Sequence, residues 1–263
     1  MKNFAFHRPQ SVSDALALLR ADDAAKLLAG GQSLLPVMKL DLAQPSGLVS
    51  LSGIRDLKGV RSEGNDLVIG AFTTHTEVAA SDEVRKRIPA LAHLAAGIGD
   101  AQIRNRGTIG GSLAHADPAA DYPAAVLGLG ATIVTDRRSI AADDFFTGLF
   151  STALAPDEII TSVRFPVPER AAYAKFPDPA SKYAVAGVFV AKTAGGYRVA
   201  VTGAGPKAFR VQAMEDGFNV QPNADAIANI EVSPADLRSD STASAEYRAH
   251  LVKVMAQRAF RAL

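Results

Sequence analysis

The run from Arg104 to Asp121, RNRGTIGGSLAHADPAAD, constrains the fold more than any other part of the chain. Glycines stand among Thr108, Ser112, His115, Asp117 and Asp121, and very few side chains are large. Small residues let a backbone approach a bulky ligand closely. Thr108 and Ser112 offer hydroxyls for a phosphate or a polyol. Asp121, just ahead of Tyr122-Pro123, offers an acceptor for a ligand hydroxyl. The plainer reading is a buried loop whose polar groups satisfy one another.

A second glycine turn strengthens the ligand reading. Ala29-Gly30-Gly31-Gln32-Ser33 follows the short apolar run Lys26-Leu27-Leu28 and precedes a helical pattern in Leu34, Leu35, Val37, Met38 and Leu40. Between strand and helix, glycines free the backbone to aim successive N–H groups into one concavity. The helix start adds its positive end. A tight turn that needs glycine for its geometry alone explains the same residues. Two such loops, both poor in bulk, point to one extended ligand bridging them.

The remaining pattern is mixed helix and strand. Ser11 and Asp14 open a capped helix, and Leu48–Leu51 reads as a strand. Residues 66–70, 131–135 and 159–165 read as strands, and Thr74 with Glu77 as a capping box on a short helix. Pro89 opens another helix. Pro166-Val167-Pro168 marks a domain boundary. Beyond it, residues 183–191 and 197–202 flank Gly195-Gly196 as a β pair. Residues 224–230 and 244–259 read as helices, the last with Tyr247, Leu251, Val254 and Met255 on one face.

Several chemistries fall away. With 28 Lys and Arg against 27 Asp and Glu, there is no electrostatic footprint for nucleic acid. The absence of cysteine leaves no thiolate nucleophile and no Cys-ligated zinc or iron–sulfur cluster on this chain. The longest uncharged stretch, 122–135, is too short to span a bilayer. The N-terminus has no secretory h-region, so a cytoplasmic protein is expected. No G-x-G-x-x-G follows a strand, no Gly-Lys dipeptide exists for a Walker A loop, and H-E-x-x-H is absent. Gly110-Gly111-Ser112-Leu113-Ala114 departs from a nucleophile elbow. His115, Asp117 and Asp121 lack regular metal-ligand spacing. His75 and His93 read as surface or packing residues on helices.

Four stretches resemble one family. They are Ala29–Leu34 with Met38-Lys39-Leu40; Ile98-Gly99-Asp100 with Gln102–Asp121; Lys182–Val188 with Val201–Ala204; and Tyr247–Leu251. Together they are similar to the FAD-binding medium subunits of molybdenum hydroxylases, of the carbon monoxide dehydrogenase and xanthine dehydrogenase type. The likeness runs nearly end to end, and the second stretch is the most specific.

The resemblance implies an α+β fold. A two-subdomain, PCMH-type FAD-binding region would occupy residues 1–168, with subdomains of about 1–55 and 56–168. A small α+β C-terminal domain would follow at 169–263. It implies non-covalent FAD, held by Lys26, Leu28, Ala29, Gly30, Gly31, Gln32, Ser33 and Leu34 on one wall. Thr108, Gly110, Gly111, Ser112, Ala114 and His115 would form the other. Asp121 is the implied ribityl or ribose contact, and Ile98, Ile160, Lys175 and Tyr183 are further flavin-side positions. Ser112 stands where many relatives have Asn, which implies retuned phosphate contacts. The two [2Fe-2S] clusters would sit on a small partner subunit and the molybdopterin on a large one, in a dimer of heterotrimers. Electrons would pass from the clusters through FAD to an external acceptor, so no catalytic acid or base and no metal ligand is assigned. A stand-alone FAD-dependent oxidoreductase is the alternative, and a redox-silent nucleotide-binding scaffold a third.

Overall fold

The computed structural model describes residues 2–263. The first fifty residues build a parallel sheet from β1 (Ala5–His7), β2 (Lys26–Leu28) and β3 (Gly47–Ser50), in the order β1-β3-β2. Parallel neighbours need crossover connections. Helices α1 (Val12–Ala21) and α2 (Leu34–Lys39) supply them. Ser11 caps α1 by accepting the Asp14 N–H at 3.1 Å. Ala15 and Leu19 of α1 pack with Val49, Leu51, Ile54 and Leu57 into a small core.

The middle of the chain is an antiparallel sheet with helices inserted. Its strands are β4 (Val60–Glu63), β5 (Asp66–Gly70), β6 (Thr132–Thr135) and β7 (Ser139–Ala141). After a short hairpin, β8 (Phe146–Gly148) and β9 (Ser151–Thr152), comes β10 (Ile160–Pro166), which inserts to give the order β4-β5-β10-β6-β7. Between β5 and β6 lie α3 (His75–Ala80), α4 (Asp82–Arg87), α5 (Pro89–Ala96), α6 (Ala101–Arg106), α7 (Ile109–His115) and α8 (Tyr122–Gly128). The expected capping box is present. Thr74 Oγ1 accepts the Glu77 N–H at 3.2 Å, and Glu77 accepts the Thr74 N–H at 2.7 Å. A short α9 (Ala142–Phe145) follows β7.

The last third is a second antiparallel sheet: β11 (Arg170–Pro177), β12 (Ala184–Thr193), β13 (Gly196–Thr202) and β14 (Phe209–Arg210). Helices α10 (Gln212–Val220) and α11 (Ala245–Arg261) cover it. Two sequence readings need correction here, and one strand went unread. Residues 224–230 give only a 3-10 turn over Ala224–Ile227. Strand β11, unmarked in the pattern, is the partner of β12 along its length. On α11 the buried face is Arg248, Leu251, Val252, Met255, Ala256 and Ala259, while Tyr247 is exposed. The face is turned because Arg248 goes inward. Its guanidinium donates to the carbonyls of Val185 (2.6 Å) and Gly203 (2.9 Å) and to Asp240 (2.7 Å), which makes a buried cation tolerable.

The cores do not stop at the proline boundary. Tyr173, Phe189, Ala191, Ala200 and Ala208 from the last third join Leu67, Ile69, Leu91, Ile109, Tyr122, Val163 and Phe165 in the central core. That shared core brings the 178–183 turn up against the middle helices. Two main-chain bonds also tie the units, Ala184 N–H to Ala119 O (3.2 Å) and Gly203 N–H to Pro118 O (2.7 Å).

Candidate cofactor site

The first glycine turn leaves the carboxyl end of β2, where ligands of α/β sheets bind. Gly31 adopts φ +76°, a conformation that favours glycine. Among the described residues, the N–H groups of Gly30, Gly31, Gln32 and Ser33 meet no protein acceptor. Four consecutive backbone donors without a protein partner, lining the cavity, are available to an anion. A Cβ at Gly30 would collide with the Arg106 carbonyl and lie 2.7 Å from Gly107 Cα. The absent side chain therefore lets the turn press directly on the second glycine region.

That second region is not the loop its composition suggests. Residues 109–115 are helix α7, and Thr108 is its cap, accepting the Gly111 N–H at 3.1 Å. The other opening donors are also committed. Ile109 N–H goes to Thr73 O (3.1 Å), Gly110 N–H to Ala71 O (2.9 Å) and Ser112 N–H to Thr108 O (3.0 Å). The opening N–H groups of α7, from Ile109 to Ser112, therefore form no second nest. Gly110 and Gly111 serve a steric purpose. A Cβ on Gly110 would sit 2.6 Å from Ala71 Cβ, and one on Gly111 would sit 2.9 Å from Thr108 Oγ1 and 3.3 Å from Ala29 Cβ.

At the far side of α7, Asp121 starts α8 and is only 4% exposed. Its Oδ1 accepts from Tyr173 Oη at 2.5 Å and pairs with Lys175 Nζ at 3.0 Å. Burial pushes the Asp121 carboxyl up, opposed by the Lys175 charge and the Tyr173 hydrogen bond. Burial, with the Asp121 charge beside it, pushes the Tyr173 hydroxyl well up. Lys175 Nζ also donates to Gly97 O (2.8 Å) and Lys182 O (3.1 Å). One ammonium thus gathers three segments of wall.

All these walls enclose a single cavity of about 1070 Å³, at or beyond the upper end for small-molecule sites. It runs from Leu19, Leu51 and Pro156, past both glycine regions, to Ile98, Asp121 and Tyr183. Of the residues expected from the resemblance, Lys26, Leu28–Leu34, Ile98, Thr108, Gly110–Ser112, Ala114, His115, Asp121, Ile160 and Tyr183 all line it. Lys175 does not; it reaches the cavity through Asp121 and the carbonyls it holds.

Sequence reasoning missed the 154–159 wall and His75. His93 is exposed, but His75 is buried and lines the cavity. Its ring lies against Tyr122, with centroids 5.3 Å apart, and its Nδ1 has no partner. Burial, with Arg104 nearby, lowers its pKa to about 4, so the ring is neutral. A Cβ on Gly107 would lie 2.5 Å from His75 Nε2. The only trace in the sequence is the pairing of the Thr74 cap with an unexplained Gly107.

A family model described as the FAD binding domain in molybdopterin dehydrogenase matches residues 2–168. The chain belongs to the family of FAD-binding medium subunits of molybdenum hydroxylases. The carbon monoxide dehydrogenase medium chain of Hydrogenophaga pseudoflava is 38% identical to this medium subunit, over 98% of this chain and 96% of that one. The nicotine 6-hydroxylase medium subunit of Paenarthrobacter nicotinovorans is 39% identical, over 95% and 93%. The reconstituted CO dehydrogenase structure from Oligotropha carboxidovorans superposes with a TM-score of 0.91 at 36% identity, over 99% and 97%. The medium subunit's own geometry fits FAD: unclaimed donors for a pyrophosphate and a long cavity for a dinucleotide.

Proposed function

We propose that this chain is the electron-relaying FAD subunit of a heterotrimeric molybdenum hydroxylase, working as a dimer of heterotrimers in the cytoplasm. A small partner would carry [2Fe-2S] clusters and a large one molybdopterin. Electrons reach this chain from the clusters and leave to an external acceptor. The observation that carries the reading is one continuous cavity lined both by Gly30–Ser33, whose four N–H groups meet no acceptor among the described residues, and by Thr108, Gly110–Ser112, Ala114, His115 and Asp121. FAD, when bound, supplies the redox chemistry.

The chain's residues hold and orient it. In this reading, Gly30–Ser33 donate to the pyrophosphate. Gly110 and Gly111 keep α7 close enough to pin it, and Ser112 adds a hydroxyl where many relatives have Asn. Asp121, held by Tyr173 and Lys175, accepts from a polyol hydroxyl. Tyr183 and Ile98 flank the isoalloxazine end. Residues 1–168 form the FAD-binding domain, with subdomains of about 1–55 and 56–168, and 169–263 close the site as the C-terminal domain.

The test is purification from the native host with a tag on this chain. The expected preparation carries about one FAD per chain, with iron, molybdenum and two co-purifying partners. A chain that carries FAD but no Fe–S or molybdopterin partner defeats the subunit reading. Turnover of an organic donor by that isolated chain would establish the stand-alone enzyme instead.

A further inference from the structure

Three consecutive carbonyls at the end of α5 are each held by a cation. Lys175 Nζ takes Gly97 O at 2.8 Å. Arg104 Nη1 takes Ile98 O and Gly99 O, both at 3.0 Å. Cations belong at a helix C-terminus, where carbonyls lack helical partners. This arrangement goes further than a cap, because the last two carbonyls lie beyond the helix in a turn that lines the cavity. Gly99 there has φ +48°, and a Cβ on it would sit 3.0 Å from the Ile103 side chain. Among the described residues, the Gly99 N–H meets no acceptor and Arg104 pairs with no carboxylate. Arg104 therefore spends its charge on main-chain carbonyls.

We propose that Arg104 is a positioning residue for the flavin ring, acting through the Ile98–Gly99 turn. By drawing the carbonyls of 98 and 99 to itself, it removes acceptors that would repel the electron-rich edge of a reduced ring. It leaves the Gly99 N–H as the free polar group of the turn. A backbone donor beside the ring stabilises negative charge that develops on reduction, and so raises the reduction potential. Lysine is not equivalent to arginine in such a place, but an ammonium has three donors and can hold both carbonyls.

This inference rests on FAD occupying the cavity with its ring at the Ile98 end. The experiment compares wild type, Arg104→Gln and Arg104→Lys in the purified complex. The readouts are FAD dissociation constant, flavin midpoint potential and thermal melting. Arg104 is only half-buried, so both variants should fold. Arg104→Gln should weaken FAD binding about tenfold, the worth of one charge-assisted hydrogen bond. It should also lower the midpoint potential of the FAD that remains, and Arg104→Lys should restore most of both. A folded Arg104→Gln complex with wild-type potential overturns the inference, even if its affinity falls. A potential lowered equally in both variants also overturns it, since holding the carbonyls would not be what matters. A wild-type complex without FAD removes the underlying reading as well, and is distinguished because it fails before any substitution is made.

Discussion

The two glycine regions look alike in sequence and do opposite work. In 29–33, glycine frees the main chain to hold its donors out, and four N–H groups stay uncommitted. In 107–115, the opening N–H groups of α7, from Ile109 to Ser112, are consumed within the protein, and glycine is there because nothing larger fits against Ala71, Thr108 and His75. The first region is built toward a ligand and the second toward the protein. A glycine-rich motif therefore does not by itself specify an anion nest. The test is where the N–H groups go.

That contrast can be broken by substitution, and the largest effect should come from the second region. Gly110→Val drives a branched side chain into Ala71 and should cost about 3 kcal/mol of stability, at the upper end for overpacking. Urea denaturation of the apo chain reads it, and an unchanged midpoint would mean α7 can shift away. The next effect is pH-dependent and also belongs to this region. His75 is held neutral, with a pKa of about 4 against about 6.5 unfolded. The unfolded chain binds the extra proton between these values. Stability from the neutral ring is complete above pH 6.5 and is lost as pH falls toward 4, by up to about 3 kcal/mol. His75→Phe should flatten that slope relative to wild type.

Gly111 touches both regions, so Gly111→Val tests the join. It should weaken FAD binding about tenfold, the worth of one charge-assisted hydrogen bond, as the valine crowds Ala29 beside the donor turn. The apo chain should stay folded, with a loss near 1 kcal/mol from the disturbed Thr108 cap. Stoichiometric FAD in this variant would show that Ala29 is free to move. The smallest effect is expected of Gly31→Ala, where positive φ costs roughly 1–2 kcal/mol. FAD affinity should drop at least as much as stability does, because the strain falls on the donors themselves. A variant that loses stability but keeps affinity would make the first region structural, like the second.

Much of this was legible in the sequence, and the failures have physical causes. The caps at Ser11 and Thr74, the strand at 66–70 and the hairpin at Gly195-Gly196 follow from local chemistry, and local chemistry is what sequence displays. Helix α7 was hidden because Gly110 and Gly111 are poor helix formers; it is held by main-chain bonds to Ala71 and Thr73 from across the fold. Strand β11 was hidden because its support is the pairing with β12. Arg248 disguised the inward face of α11, since its three partners lie 8 to 63 residues away. His75 carries no motif. The cavity residues were accessible because the resemblance to a known family supplied the long-range geometry that periodicity lacks.

The Lys175 clamp has a consequence for biosynthesis. The ammonium that binds Asp121, Gly97 O and Lys182 O, and the Tyr173 hydroxyl beside it, all belong to the last third of the chain. While a ribosome is still adding that third, residues 1–168 can present the glycine turn and α7, but the wall at Asp121 is unbraced and the Tyr183 side is missing. With the site as proposed, firm retention of the cofactor is expected only once the C-terminal sheet has docked. In the proposed site, flavin occupancy thus reports that the three sheets have come together, which an experimenter can read by colour.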